Sequence, residues 1–257
     1  MIDSNCKGRI QSLDDRKNIV ICGDKDKTIE FSVDHWVELS RQSIRDRGKF
    51  AVALSGGSTP KAIYQKLCTS PIKEKIQWKN VLLFFGDERS VAPTSAESNY
   101  HMAMEAGFKN VPLLKQNIFR MQAEKNIKKM AKDYEGLIKE EIDGIFDLVM
   151  LGMGDDGHTA SLFPNTQALK EESALVIENE VPQKKTWRMT LTLPCINHAR
   201  NIAFYVIGES KKEMVKKVLL PLPGSDTYPS QLIGTKETKA LWILDDQAAL
   251  LLKTSSK

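Results

Sequence analysis

Short apolar runs alternate with amphipathic stretches from one end of this 257-residue chain to the other. The runs are rich in Val, Ile, Leu and Phe and lack polar alternation, which is typical of strands buried on both faces of a sheet. They are Asn18–Cys22, Phe50–Leu54, Val81–Phe85, Phe146–Leu151, Ile202–Ile207 and Leu241–Leu244. Helical spacing is clearest over Asn126–Ile142 and recurs after Thr28 and after Glu209. The alternation predicts an α/β fold with a mostly parallel sheet.

We expect one domain spanning residues 1–257, because the chain has no internal repeat and no linker. The least regular segments, Ser90–Ser98 and Pro221–Ser230, are too short to divide it. With 41% hydrophobic and 27% charged residues, the composition excludes a disordered or fibrous chain. A net charge of +4 is too small to indicate nucleic-acid binding, though it suits a small anionic substrate.

The sequence predicts a cytoplasmic protein without a membrane partner. The first residues are charged throughout, which argues against a signal peptide. The longest stretch without Asp, Glu, Lys or Arg is Gly157–Leu169. It contains His158, Pro164, Asn165 and Gln167, so it cannot serve as a membrane-spanning helix. No two of the 4 cysteines form a Cys-x-x-Cys pair, so neither a zinc site nor a small disulfide scaffold is indicated.

The motif Ser-Gly-Gly-Ser-Thr-Pro, Ser55–Pro60, follows the second predicted strand. Glycines allow sharp turns and close approach to a ligand. We expect Ser58 or Thr59 to cap the following helix, with Pro60 in its first turn. Free N–H groups and the helix dipole then make an anion site, most often for phosphate. The alternative is a plain capped turn; a Walker loop is excluded because no Gly-Lys-Ser/Thr follows.

Charged residues follow the next predicted strand directly, in Gly-Asp-Glu-Arg, which ends at Arg89. In open α/β sheets ligands bind outside the carboxyl ends of the strands. Asp87 and Arg89 are therefore candidates for a substrate site, and a surface turn is the alternative. The sequence does not decide whether Glu88 contacts substrate or only supports the turn.

The richest strand end is Phe146–Pro164, in which Gly152, Gly154 and Gly157 match G-x-G-x-x-G. This spacing mimics the dinucleotide fingerprint. We reject that interpretation because the fingerprint needs a full helix after the glycines, and Pro164 interrupts after less than two turns. What remains is a glycine-rich loop that presents acidic residues and a histidine.

His158 in this loop is a candidate general base, because the imidazole pKa lies near neutrality. Asp156 stands two residues earlier and is placed to orient the ring, although the sequence does not establish contact. The alternatives are a histidine hydrogen-bonded for structure and a metal ligand. A metal site is disfavoured because His35, His101 and His198 show no ligand spacing to His158.

Two further cations stand out. Arg188 lies in an alternating segment that predicts a strand. Lys211 and Lys212 begin the helix that follows the fifth predicted strand, where positive charge opposes the helix dipole. This arrangement is costly unless an anion offsets it, so Lys211 is a candidate anion ligand and Lys212 is expected to be solvated.

Together these motifs resemble the 6-phosphogluconolactonase family, which is related to glucosamine-6-phosphate deaminase and ribose-5-phosphate isomerase. The resemblance covers most of the chain, in the order and spacing of the family. It rests on SGGSTP at Ser55–Pro60, GDER at Gly86–Arg89, SNY at Ser98–Tyr100, GMGDDGHTASLFP at Gly152–Pro164, RMTLTLP at Arg188–Pro194 and GESKK at Gly208–Lys212. It implies a modified doubly wound, Rossmann-like sheet with helices on both faces.

The resemblance also implies an activity: hydrolysis of 6-phosphoglucono-δ-lactone to 6-phosphogluconate in the oxidative pentose phosphate pathway. By resemblance, His158 activates water, Asp156 assists it, Arg89 stabilises charge on the lactone oxygen and Asp87 lines the site. The phosphate ligands that it implies are Gly56, Gly57, Ser58, Thr59, Arg188 and Lys211. The expected partner is a small phosphorylated sugar lactone, with no cofactor, no metal and no nucleic acid, in a monomer or weak dimer.

Two other functions are weighed against this one. Glucosamine-6-phosphate deaminase has a Glu five residues after the equivalent histidine, where this chain has Phe163, which cannot move a proton. Its strand motif also favours Asp-Glu-Tyr over the Asp-Glu-Arg found here. A non-catalytic sugar-phosphate sensor would be expected to lack His158 or Arg89 and to carry a DNA-binding helix pair. The sequence shows neither feature.

Overall fold

Two β-sheets organise the part of the chain that this computed structural model describes, residues 10–225 and 227–252. The larger sheet contains β1 (Gln11–Ser12), β2 (Lys17–Ile21), β3 (Phe50–Leu54), β4 (Val81–Phe85), β6 (Leu148–Leu151), β9 (Ile202–Val206) and β10 (Ala240–Leu244). The smaller sheet contains β5 (Asp87–Arg89), β7 (Val176–Val181) and β8 (Thr186–Leu191). The helices are α1 (Lys25–Arg47), α2 (Ser58–Leu67), α3 (Asn99–Ala106), α4 (Ile127–Ile142), α5 (Leu193–Asn197) and α6 (Lys212–Leu219).

The larger sheet has the order β1-β2-β10-β9-β6-β3-β4, and all its neighbouring pairs are parallel except β1 with β2. This confirms the predicted α/β fold with a mostly parallel sheet and helices around it. All six predicted strands are present, although the fourth begins at Leu148 rather than Phe146 and the fifth ends at Val206. Because Phe146 is also fully buried, an apolar run alone does not mark where the ladder begins.

The strands of the larger sheet form the core because nearly every side chain on them is removed from water. Strands β3, β4, β6, β9 and β10 are buried at every position. The Trp36 ring of α1 meets Phe50 edge to face at 4.9 Å, and Phe204 stacks on Trp242 at 3.9 Å. Burial of one such large side chain contributes about 1.5–3 kcal/mol. This packing gives the strand ends a rigid base.

The predicted helices are present, and their ends have identifiable causes. The Asp24 side chain caps α1 by accepting a hydrogen bond from the Lys27 N–H at 2.9 Å. Gly48 ends α1 in the left-handed conformation at φ 76°. The Asn126 side chain accepts from the Lys129 N–H at 3.1 Å and so fixes the start of α4. These contacts follow from residue types that favour helix ends.

The order of the strands reverses between β3 and β6, which are neighbours in the larger sheet. From β3 the chain continues outward to β4, whereas from β6 it continues the other way to β9 and then β10. Such a reversal opens a crevice at the carboxyl ends of the strands, where ligands bind. The three motif-bearing strand ends and the loop before Lys211 all follow strands beside this reversal.

The smaller sheet has the order β5-β8-β7, is antiparallel throughout, and stands beside the same crevice. The sequence predicts a strand around Arg188 but not a separate sheet. The difference arises because β5 is only 3 residues long and follows β4 after a single glycine, Gly86. A strand that short carries no periodicity of its own.

No helix among residues 10–225 and 227–252 is long and apolar enough to cross a membrane. Residues 1–9, on which the expected absence of a signal peptide depends and which include Cys6, lie outside the described residues.

Candidate active site

A cavity of about 530 Å³ opens at the carboxyl ends of the strands beside the reversal. Its volume falls in the range of small-molecule sites, about 300–1,000 Å³. Every site residue predicted from the sequence lines it except Asp156, which contacts the His158 ring. The predicted residues in its wall are Gly56, Gly57, Ser58, Thr59, Asp87, Arg89, His158, Arg188 and Lys211. The fold therefore brings together motifs that are spread over most of the chain.

The loop after β3 leaves the N-terminus of α2 open toward the cavity. The capping position is Gly57, at φ 106°, and no side chain caps the helix. The expectation that Ser58 or Thr59 caps α2 is therefore wrong, because both already lie in its first turn. Pro60 lies in that turn as predicted. Uncapped N–H groups at a helix N-terminus favour an anion.

Two further contacts hold this loop in place. The Tyr64 hydroxyl accepts from the Ser55 N–H at 3.0 Å and donates to the Ser55 carbonyl oxygen at 2.8 Å. The Asn99 side chain lies so close to Gly56 that an added Cβ would stand 2.0 Å from Asn99 Oδ1. Glycine at position 56 is thus required by close approach rather than by its backbone angles.

Two arginines face each other at the edge of the cavity. Arg89 on β5 pairs directly with Arg188 on β8 in the antiparallel register. The Nε atoms of both are buried and have no hydrogen-bond partner. Burial lowers the pKa of Arg188, and the positive charge of Arg89 lowers it further. Like charges opposite one another are unfavourable, so an anion between them would relieve the repulsion and satisfy the donors.

Asp87 and Glu88 have different roles. Asp87 lines the cavity, and its carboxylate accepts from Ser161 Oγ at 2.6 Å and Asn99 Nδ2 at 3.2 Å. Glu88 is buried outside the cavity, where it accepts from the Asn99 and Tyr100 N–H groups at 2.8 and 2.9 Å. Burial raises the pKa of Glu88 despite these hydrogen bonds. Glu88 therefore supports the start of α3, which answers what the sequence left open.

His158 is held on two sides. Its Nδ1 lies 2.5 Å from Asp156 Oδ1, and its ring stacks on Phe163 at 4.0 Å between centroids. Burial acts to raise the pKa of Asp156, but the hydrogen bond and charge of His158 outweigh it and leave that pKa lowered. An ionised carboxylate only accepts, so it assigns the proton of a neutral His158 to Nδ1. The Nε2 atom is then free to accept a proton.

The backbone around His158 leaves little room for change. No α-helix directly follows the three glycines, as Pro164 predicts. A Cβ at Gly154 would lie 2.0 Å from His158 Nδ1, so the glycine is required by the imidazole itself.

Among the described residues, no group of three or more His, Cys, Asp or Glu side chains is arranged to hold a metal ion.

Lys211 and Lys212 each form an ion pair with a carboxylate of the protein, so the expectation that Lys212 is simply solvated is not met. Lys211 lines the cavity, and its Nζ lies 2.6 Å from Asp155 Oδ1. Lys212 does not line the cavity and pairs with Glu209 at 2.8 Å. The protein thus supplies its own carboxylate to the lysine for which the resemblance implies a phosphate.

The cavity wall contains polar residues that the sequence did not predict. Asn99 and Ser161 hold Asp87, and Lys184 contributes an exposed cation. Tyr205 lies on β9 with its hydroxyl buried and without a hydrogen-bond partner, and burial raises its pKa above the usual range. The Ser98–Tyr100 motif pointed toward Asn99. The sequence pattern does not single out Tyr205 as a site residue, because Tyr205 lies inside an apolar strand.

Fold and site together define an α/β protein with a cavity at a topological switch point, where an oriented histidine and several cationic side chains come together. A family model described as "Glucosamine-6-phosphate isomerases/6-phosphogluconolactonase" matches residues 23–242. The chain belongs to this family.

Individual relatives agree with the family match. A 6-phosphogluconolactonase of Chlamydia trachomatis is 39% identical over 241 residues, which cover 92% of this chain and 91% of that protein. A 6-phosphogluconolactonase of Synechocystis is 36% identical and covers 80% of this chain and 86% of its own. The structure of 6-phosphogluconolactonase from Trypanosoma cruzi superposes with a TM-score of 0.80 at 31% identity, covering 95% of this chain and 98% of that one.

Proposed function

We propose that this protein hydrolyses 6-phosphoglucono-δ-lactone to 6-phosphogluconate, a step of the oxidative pentose phosphate pathway. The observation that carries the proposal is that one cavity contains both a candidate general base and a candidate anion site. His158, oriented by Asp156, stands in a wall that also holds two arginines whose Nε atoms have no hydrogen-bond partner and an uncapped helix N-terminus. A lactone with a phosphate at its far end needs both. The names of the relatives support the same substrate.

The hydrolytic step begins with water attacking the lactone carbonyl carbon. His158 Nε2 takes the proton of the water, and Asp156 stabilises the imidazolium that forms. The new C–O bond converts the carbonyl into a tetrahedral oxyanion, which the Arg89 guanidinium stabilises. The bond between that carbon and the ring oxygen then breaks, and the imidazolium returns its proton to the ring oxygen. Positioned base catalysis contributes roughly 10²–10⁴-fold.

Substrate orientation comes from the anion end of the cavity. Arg188, Lys211 and the N–H groups of Gly57, Ser58 and Thr59 are the donors in this proposal. Fixing the phosphate places the carbonyl beside His158 and converts an encounter between two molecules into a step within one complex. Asp87 is already hydrogen-bonded to Ser161 and Asn99, so its part is to keep the loops that carry the donors together.

The direct test follows acid release from freshly prepared 6-phosphoglucono-δ-lactone with a pH indicator, against its spontaneous hydrolysis. We expect a catalysed rate that depends on enzyme concentration. A rate equal to the spontaneous one would overturn the proposal. If 6-phosphogluconate still bound, that result would indicate the non-catalytic sensor.

The same preparation is assayed for ammonia release from glucosamine 6-phosphate. We expect none, because Phe163 occupies the position of the ring-opening carboxylate and stacks on His158. Deamination at a rate comparable to lactone hydrolysis would contradict this assignment. The proposal also includes a cytoplasmic, single-domain enzyme that is a monomer or weak dimer. Size-exclusion chromatography with light scattering tests the oligomeric state.

A further inference from the structure

One ion pair joins a lysine of the cavity wall, Lys211, to a carboxylate outside the cavity lining, Asp155. Lys211 Nζ and Asp155 Oδ1 are 2.6 Å apart, and the Lys211 side chain is one quarter exposed. The Asp155 side chain is 85% exposed, so little desolvation holds the carboxylate in place. Because its carboxylate is solvated, this ion pair is weak, worth about 0–1 kcal/mol. A phosphate dianion held by Arg188 and the α2 N-terminus would carry more charge than this carboxylate and would therefore attract the same lysine more strongly.

We propose that Asp155 is a displaceable counter-ion of Lys211, an inference that rests on the proposed function. As such, Asp155 sets the affinity of the cavity for the phosphate end of its substrate. In the empty site the carboxylate offsets the positive charge before α6. Substrate binding then replaces one anion by another on Lys211. Displacing Asp155 costs part of the free energy that the phosphate gains from Lys211. The negative charge of the displaced Asp155 also repels the incoming dianion.

The loop that carries Asp155 does not depend on this ion pair. The turn is closed by backbone hydrogen bonds from the Gly154 N–H to the His158 carbonyl oxygen at 2.9 Å and from the Gly157 N–H to the Gly154 carbonyl oxygen at 3.1 Å. His158 is held by Asp156, which points to the ring rather than to Lys211. Removing the charge of Asp155 is therefore expected to change binding without moving the base.

The test is Asp155→Asn, measured as KM for the lactone and as the dissociation constant of 6-phosphogluconate by calorimetry. We expect both to fall by about two- to fivefold at low salt, with kcat unchanged within twofold. The gain shrinks as salt is raised, because both charges reach solvent. An unchanged or higher KM would overturn the proposal, since a carboxylate that positions Lys211 would help binding rather than oppose it.

The chain offers a matched control in Glu209→Gln. Glu209 pairs with Lys212 at 2.8 Å and is 63% exposed, yet its lysine does not line the cavity. The control removes the same charge beside the same helix and is expected to leave KM unchanged. An equal fall in KM for the two variants would mean that net charge alone acts, and would also overturn the proposal.

A second arm uses the Lys211→Ala background. If Asp155 acts through Lys211, most of its effect disappears there, and Asp155→Asn lowers KM by less than half as much as in the wild type. A full effect in that background would contradict the pairing.

Inorganic phosphate serves as a probe independent of catalysis. If wild type fails to hydrolyse lactone but Asp155→Asn still binds phosphate more tightly, the proposed function fails and the counter-ion inference stands.

Discussion

The two ends of the cavity differ in how complete they are without a ligand. At the hydrolytic end, His158 has its proton position assigned by Asp156, and its ring is fixed against Phe163. At the anion end, the Nε atom of Arg188 is buried without a hydrogen-bond partner, and α2 begins without a side-chain cap. One end is built before substrate arrives, and the other is completed by it.

The difference has a physical reason. A general base acts through geometry, so its orientation must be fixed before the reaction, and fixed groups need internal partners. An anion site gains affinity from donors that have no better partner in the empty state. Stability is lost at the anion end and recovered on binding. The comparison predicts that substitutions at the two ends change different kinetic constants.

The largest effect is expected for His158→Ala. Removing the base should lower kcat by roughly 10²–10⁴-fold while leaving 6-phosphogluconate binding nearly unchanged. Rapid-mixing assays with fresh lactone and calorimetry with the product measure the two separately. His198→Ala is the control, because His198 is exposed and outside the cavity. Turnover within a few fold of wild type would remove His158 from the role of base.

Asp156→Asn should impair the hydrolytic end in the same way, with kcat lower by up to about 10⁴-fold and KM little changed. The pKa of Asp156 is lowered, so its carboxylate is ionised at neutral pH and its charge is available to the imidazolium. An amide keeps the size but not the charge. A variant with unchanged kcat would mean that Asp156 only supports the turn.

Arg188→Ala should weaken substrate binding at the anion end of the cavity. We expect KM to rise by about 10- to 100-fold, since a hydrogen bond to a charged group contributes about 1.5–3 kcal/mol, with a smaller change in kcat. Arg45→Ala is the control, because Arg45 is exposed on α1 and away from the cavity. A fall in kcat equal to that of His158→Ala, with KM unchanged, would contradict the division between the ends.

The smallest effect concerns stability and sharpens the comparison. Arg188→Met keeps much of the side-chain volume but removes a charge opposed to Arg89 and a buried donor without a partner. The ligand-free variant should unfold in urea with a free energy equal to that of wild type or higher by up to about 1 kcal/mol. Destabilisation by more than about 1 kcal/mol would show that Arg188 is already satisfied without ligand.

Much of this division could be predicted from the sequence because each motif directly follows a buried strand. Parallel strands bring their carboxyl ends to one edge, so Gly57, Asp87 and His158 were placed together by fold class alone. Pro164 also predicted that no full helix follows the glycines, and the structure has none directly after them.

Other features depend on tertiary contacts that no local pattern encodes. The opposition of Arg89 and Arg188 arises from pairing between strands distant in the chain. Tyr205 lies within an apolar strand, and Asp155 meets Lys211 across a loop. The capping expectation failed because Gly57 adopts φ 106° and takes the position that a hydroxyl residue was expected to fill. Helix ends are fixed by such local angles more than by composition.

The most direct test of the division measures kcat/KM for the phosphorylated lactone and for the same lactone without phosphate, in wild type, Arg188→Ala and His158→Ala. The ratio of the two values reports the anion end alone. We predict that it collapses in Arg188→Ala and stays within a few fold of wild type in His158→Ala, although both substrates react slowly there. A ratio that survives in Arg188→Ala, or collapses in His158→Ala, would contradict the account.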